Sequence, residues 1–165
     1  MKELEQFKKY ILNPGSESAK DYYVFPLFQK LFGNKFKKQS DAEGADTYIE
    51  GKLLVELKTK KEELIEGFFQ ALHYEKKGLS FSSICIIAFK LICLWKVNKI
   101  PDFAKELVSK AGPLIAPNEI GKSLAKNISK SQQNEIIKSA FFSLLPSDFE
   151  GFFEKDIDIE ISSFK

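Results

Sequence analysis

The sequence predicts an α/β fold of the α+β kind: a central mixed sheet flanked by helices, with a mostly helical C-terminal extension. Three observations lead there. The stretch from Asp46 to Tyr74, DTYIEGKLLVELKTKKEELIEGFFQALHY, reads as strand, turn, strand and helix. SFSSICIIAFKLICLWKV adds two β-prone runs whose near-continuous apolarity suits a sheet covered on both faces. After Lys99 the chain turns to helix signals. A length of 165 residues suffices for a real core. The expected division is a core over residues 1–99, then a helical extension or connector over residues 100–165 leading to further domains of a longer polypeptide.

Taken in order, Glu3 to Leu12 predicts the first helix, because Leu4, Phe7, Ile11 and Leu12 recur at helical spacing. Asn13-Pro14-Gly15-Ser16 ends it. A second helical stretch runs from Glu17 to Phe32, with Leu27, Phe28, Leu31 and Phe32 as its core face; Pro26 inside it predicts a kink or a restart. NKFKKQSDAE reads as a short strand and a polar loop, its Lys35, Lys37 and Lys38 either facing a substrate or guarding a solvated sheet edge. Glu62 and Glu63 open the helix after the second strand of the central stretch, and Lys76, Lys77 and Gly78 close it. Leu64, Phe68 and Leu72 are its buried stripe. Gly67 costs that helix about 1 kcal/mol relative to Ala, which predicts a close approach by backbone or ligand. Strands Phe81–Phe89 and Leu91–Val97 follow, with Trp95 in the core. Pro101 and Asp102 begin the next helix, Asn118 and Ser131 cap two more, and Phe141, Phe142, Leu144 and Leu145 give the last an apolar end. The terminal Asp156-Ile157-Asp158-Ile159-Glu160-Ile161 alternates acid and Ile, the pattern of a half-exposed strand at a solvated edge.

Composition narrows the function classes. A hydrophobic content of 44% with sixteen Phe fits a globular chain and not a disordered one. No apolar run is long enough to span a bilayer, and MKELEQFKKYIL is too charged for a signal peptide, so the expected compartment is cytoplasmic. Cys85 and Cys93 sit in apolar runs at a spacing that fits no zinc or redox motif and read as reduced core thiols. Every one of the 25 basic residues is lysine, so phosphate contacts fall to ammonium groups and backbone amides, a salt-sensitive and sequence-indifferent grip. Gly121-Lys122-Ser123 is not a phosphate-binding loop: Ala116 stands where that motif needs glycine, and no strand precedes it.

Chemistry concentrates around the second strand of the central stretch. Alternation places Glu56 and Lys58 on one face, with Val55 and Leu57 on the other. A carboxylate and an ammonium among Leu and Val are costly to bury unless something uses the charges, and a hard divalent cation such as Mg²⁺ is one such user. Asp46 is the candidate second carboxylate, and its reach depends on the turn. A two-residue loop of Glu50 and Gly51 pairs Asp46 with Val55 and turns it away from Glu56. A three-residue loop of Ile49, Glu50 and Gly51, with Gly51 left-handed, restores the shared face. The expectation is that longer loop, or a bulge near Asp46.

Asp46, Glu56-Leu57-Lys58 and Gln70-Ala71-Leu72-His73-Tyr74 together resemble the PD-(D/E)xK nuclease superfamily, in the subset with a Q-xxx-Y motif on the helix after the catalytic strand. The Pro before the Asp is replaced by Ala45. The resemblance implies a restriction-endonuclease-like core that hydrolyses DNA phosphodiesters with Mg²⁺, or Mn²⁺ in its place. It implies Asp46, Glu56 and the Leu57 carbonyl as metal ligands, Lys58 as the group that positions the attacking water, and Gln70 as its orienting partner. Tyr74, Lys20, Lys60 and Lys61 are the implied DNA contacts, and His73 is read as surface or a neighbour of the site. Glu17 resembles a first-helix glutamate that reaches the metal in such nucleases; as an ordinary first-turn acid behind a Ser16 cap it needs no such role. The front of the chain, SESAKDYYVFPLFQKLFG, resembles amino-terminal nuclease domains of type IIG restriction-modification proteins. That implies double-stranded DNA, methyltransferase or specificity domains of the same polypeptide, and a second copy in a dimer as partners. The alternatives are a structure-selective resolvase or exonuclease of the same fold, a module that binds DNA without cutting it, and a purely structural connector.

Overall fold

Alternation along the strands sends successive side chains into two apolar layers, and helices cover both. The computed structural model describes residues 1–15, 19–38, 44–150, 158–159 and 161–165. Helix α1 (Lys2–Leu12) is followed by α2 (Ala19–Tyr23) and α3 (Phe25–Phe32). The expected long second helix is thus two: the chain breaks at Val24 and restarts with Pro26 in the first turn of α3, where a missing N–H costs nothing. Strands β1 (Phe36–Lys38), β2 (Thr47–Ile49) and β3 (Leu53–Leu57) follow, then α4 (Leu64–His73), which a 3₁₀ turn over Tyr74–Lys77 extends to Gly78 in the left-handed region. Strands β4 (Ser83–Ala88) and β5 (Leu91–Lys96) lead into α5 (Asp102–Ser109), α6 (Pro117–Lys126), α7 (Lys130–Lys138) and β6 (Phe142–Leu144).

The six strands form one mixed sheet in sequence order. Only β3 and β4 run parallel, because α4 carries the chain back across the sheet between them; the other neighbours are antiparallel. On one face, Leu54, Ile84, Ile86, Cys93 and Trp95 pack with α4 to α7; on the other, Leu53, Val55, Cys85, Ile87 and Leu94 pack with α1 to α3. Trp95 is fully buried and donates its indole N–H to the Ile136 carbonyl at 2.8 Å, which ties β5 to α7. Cys85 and Cys93 are free and buried, and burial pushes both thiols up, Cys93 to about 12. No helix among the described residues is long and apolar enough to cross a membrane.

The chain beyond Lys99 differs from the sequence expectation. Phe142 and Leu144 do not end a helix. They alternate as β6 and pair with β5, at Leu94↔Phe142 and Ile92↔Leu144. Ile100, Ala104, Val108, Ile128 and Ile136 join the same apolar layer as the sheet residues, so this segment shares the core of residues 1–99. The caps also shift. Ala116 precedes α6, whose first turn opens with Pro117, and Ser129 caps α7: its hydroxyl accepts the Gln132 amide at 3.1 Å while the Gln132 side chain accepts the Ser129 amide at 2.9 Å. Asn118 and Ser131 lie inside the helices they were expected to cap. At the terminus, Asp158 and Ile159 have no strand pairing and Ile161 opens a 3₁₀ turn, while residues 156, 157 and 160 lie outside the described residues. Phe164 packs edge-on against Phe7 and Phe28 and closes the α1–α3 layer.

His73 is fully buried, not at the surface. Its Nε2 lies 3.1 Å from the Gly112 carbonyl, and Nδ1 has no hydrogen-bond partner among the described residues. Burial holds its pKa below the ordinary 6.5. The folded protein therefore binds this proton less readily than the unfolded chain. Stability present above about pH 6.5 falls as the pH drops toward the depressed folded value. Between pH 8 and 5 the urea midpoint of wild type is expected to fall relative to that of His73→Leu, the gap opening below about pH 6.5; a difference that stays constant with pH would mean that burial does not depress the His73 imidazole.

Candidate active site

A turn decides whether the two carboxylates meet. The pairs Thr47↔Val55, Tyr48↔Leu54 and Ile49↔Leu53 leave Glu50, Gly51 and Lys52 as a three-residue loop, with Gly51 at φ 74°. The expected loop length and the left-handed Gly51 are both present, with the loop centred one residue later. One step beyond Thr47↔Val55, Asp46 comes opposite Glu56 on the α4 side of the sheet. Its Oδ2 accepts the Leu57 amide at 2.9 Å, so the end of β3 anchors it. Leu57 is the residue expected to lend its carbonyl; here its backbone also ties the two carboxylates into one unit.

Glu56 is 2% exposed, and its carboxyl is pushed well above the usual range, first by burial and then by the neighbouring Asp46 carboxylate. Oε2 accepts the Gln70 amide at 3.1 Å, and Oε1 has no hydrogen-bond partner among the described residues. Lys58 follows on the same face and donates to Gln70 Oε1 at 2.6 Å, while Glu66 stands 4.0 Å from its ammonium. Gln70 therefore links the two motif residues. Its amide nitrogen must face the carboxylate and its oxygen the ammonium, because the reverse would oppose like partners at both ends.

Helix α4 can deliver Gln70 because two glycines let backbones approach. A Cβ on Gly67 would lie 3.2 Å from Ile86 and 3.4 Å from the stem of Lys58, so the close approach predicted there is to the sheet and to Lys58 itself. A Cβ on Gly121 of α6 would meet the Glu66 carbonyl oxygen at 2.5 Å and Gln70 Cβ at 3.2 Å. Helix α6 thus presses on the turn of α4 that carries Glu66 and Gln70. Gly121→Ala is expected to cost about 1–3 kcal/mol in chemical denaturation, since one backbone must move off the other; an unchanged midpoint would mean that the helices separate freely.

The remaining expected residues divide. Lys20, a candidate phosphate contact, is 9% exposed and donates to Asp46 Oδ1 at 3.0 Å, which places it inside the site. Tyr74, also a candidate DNA contact, is 3% exposed; burial first and the Glu56 charge second raise its pKa, and its hydroxyl lies 3.5 Å from where a Cβ on Gly44 would sit. It borders the carboxylates from within the core. Lys60 and Lys61 are exposed just beyond Lys58, on the turn into α4, where the Glu63 carboxylate accepts the Lys60 amide at 3.1 Å. Glu17 lies outside the described residues. Sequence reasoning gave neither Glu66 nor Gly121 a place at this site; the four-residue spacing from Glu66 to Gln70 was the available signal for the first.

Among the described residues no group of three or more His, Cys, Asp and Glu side chains converges as a metal site. The donor set that is present fits a hard cation nonetheless: two opposed carboxylates, one with a buried oxygen that has no hydrogen-bond partner among the described residues. The neighbouring ammonium groups, Lys20 on Asp46 and Lys58 behind Gln70, offset part of the charge in its absence. Set against protein-family models, curated proteins and solved structures, the chain gives no match.

Proposed function

We propose that this chain is a metal-dependent endonuclease domain of the PD-(D/E)xK type, with a restriction-endonuclease-like core, that hydrolyses DNA phosphodiesters. The observation that carries this reading is the buried Asp46–Glu56 pair with Lys58 fixed beside it through Gln70. Such a cluster is expensive to keep unless its charges are used. Asp46, Glu56 and the Leu57 carbonyl would hold a Mg²⁺ ion, which when bound polarises the scissile phosphate and lowers the pKa of a coordinated water. Lys58 brings a positive charge to the position where charge develops on the phosphate and orients the attacking water. Gln70 holds the ammonium and the Glu56 carboxylate in register. Lys60 and Lys61, exposed beside Lys58, supply sequence-indifferent contacts to the phosphate backbone.

The test is supercoiled plasmid incubated with the purified chain in Mg²⁺ or Mn²⁺, beside an EDTA control. Nicked and linear products are expected only with metal. In Gln70→Ala the rate is expected to fall by roughly 10–100-fold, the usual effect of removing a partner that orients catalytic groups. Retention of DNA on a filter with no metal-dependent product would replace this reading with a non-cleaving DNA-binding module.

A further inference from the structure

At the opposite end of the sheet from Glu56 and Lys58, where β3 and β4 begin and β5 ends, lies a cavity of about 680 Å³. That volume suits a small organic ligand. Four lysines from separate parts of the chain line it: Lys52 from the β2–β3 turn, Lys96 from the end of β5, Lys105 from α5, and Lys165. Among the described lining residues there is no Asp or Glu. Lys52 and Lys96 have no carboxylate partner among the described residues either. Each ammonium instead sits over an aromatic face, Lys52 at 5.6 Å from the Phe32 ring and Lys96 at 5.5 Å from the Phe141 ring. A cation held by a ring is positioned without being neutralised. The cavity therefore gathers several ordered positive charges in a chain whose net charge is only +2.

Beside these lysines, Phe141 is 45% exposed, and Asn98 and several serines also line the cavity. An exposed ring with an adjacent ammonium suits the flat face of a nucleobase, the lysines suit phosphate, and the amide and hydroxyls suit sugar and base edges. We propose that this cavity is a nucleotide-binding site, distinct from the carboxylate cluster, that recognises a nucleobase together with its phosphates. The unit arrives either as a free nucleotide or as one residue of a nucleic-acid strand. Lacking an arginine fork, the site binds phosphate through point charges, so its affinity falls steeply with salt.

Isothermal titration of the full chain in EDTA, where no cleavage can intervene, tests this with three probes: ATP, inorganic tripolyphosphate and a single-stranded oligodeoxynucleotide. Wild type is expected to bind ATP, and Lys52→Ala/Lys96→Ala to weaken it by at least about tenfold; both positions are exposed, so the fold persists. Phe141→Ala is expected to weaken ATP by about tenfold and to leave tripolyphosphate unchanged. Oligonucleotide binding that the double lysine variant loses, without ATP binding, assigns the site to a nucleotide within a strand. Failure of wild type to bind either nucleotide probe, or equal binding by the double lysine variant, overturns the proposal. Plasmid cleavage reads the other end of the sheet, so loss of one result leaves the other standing.

Discussion

Glu56→Ala and Lys58→Ala are each expected to reduce metal-dependent plasmid nicking by at least about a thousandfold, a loss of roughly 4 kcal/mol of transition-state stabilisation. The two variants should fail in different ways. Glu56 offers a buried carboxylate oxygen without a hydrogen-bond partner among the described residues, so removing it should weaken Mn²⁺ binding together with the rate. Lys58 lies behind Gln70 and adds charge without being a ligand, so Lys58→Ala should still take up Mn²⁺ while losing the rate. Folding should survive in both: Lys58 lies just past the end of β3, next to exposed Thr59, and Glu56→Ala removes a charge that burial already disfavours. Calorimetric Mn²⁺ titration beside the nicking assay separates the roles. A Glu56→Ala protein that nicks at the wild-type rate would remove the carboxylate pair from the chemistry and with it the nuclease reading.

The local pattern made much of this site readable. Period-two alternation placed Glu56 and Lys58 together, and a glycine in a short turn fixed the parity that brings Asp46 across, because hairpin register follows from backbone rules within a few residues. What stayed hidden was set by pieces far apart in the chain. Lys20 reaches Asp46 across 26 positions, and Gly121 meets Glu66 and Gln70 across more than 50; neither contact has a signature in its own neighbourhood. Strand β6 was read as a helix end because three residues cannot display a period. Its partner, the open edge of β5, decides the conformation. The restart at Pro26 and the glycine at Gly67 show the opposite case, where one residue's own stereochemistry sufficed to locate the feature.

In EDTA at pH 8, Glu56→Gln is expected to be more stable than wild type by about 1–4 kcal/mol, a rise in Tm of roughly 2–16 °C for a chain of this size. The carboxyl of Glu56 is raised in the folded state, so the folded protein holds this proton more tightly than the unfolded chain does. Its stabilising contribution is complete below the unfolded value near 4.5 and is lost as the pH climbs toward the raised folded value. Glutamine keeps the shape of the protonated acid and its hydrogen bond to Gln70 while having nothing to ionise, so wild type and variant should coincide near pH 4.5 and separate above it. Adding Mg²⁺ should then reverse the order at pH 8: a cation that binds the ionised pair stabilises the wild-type fold by mass action and has little to gain from the amide. Thermal melts at four pH values, with and without Mg²⁺, test both halves. Parallel curves in EDTA would mean that Glu56 ionises as freely in the fold as in water. An order unchanged by Mg²⁺ would mean that the buried pair is kept for something other than a cation.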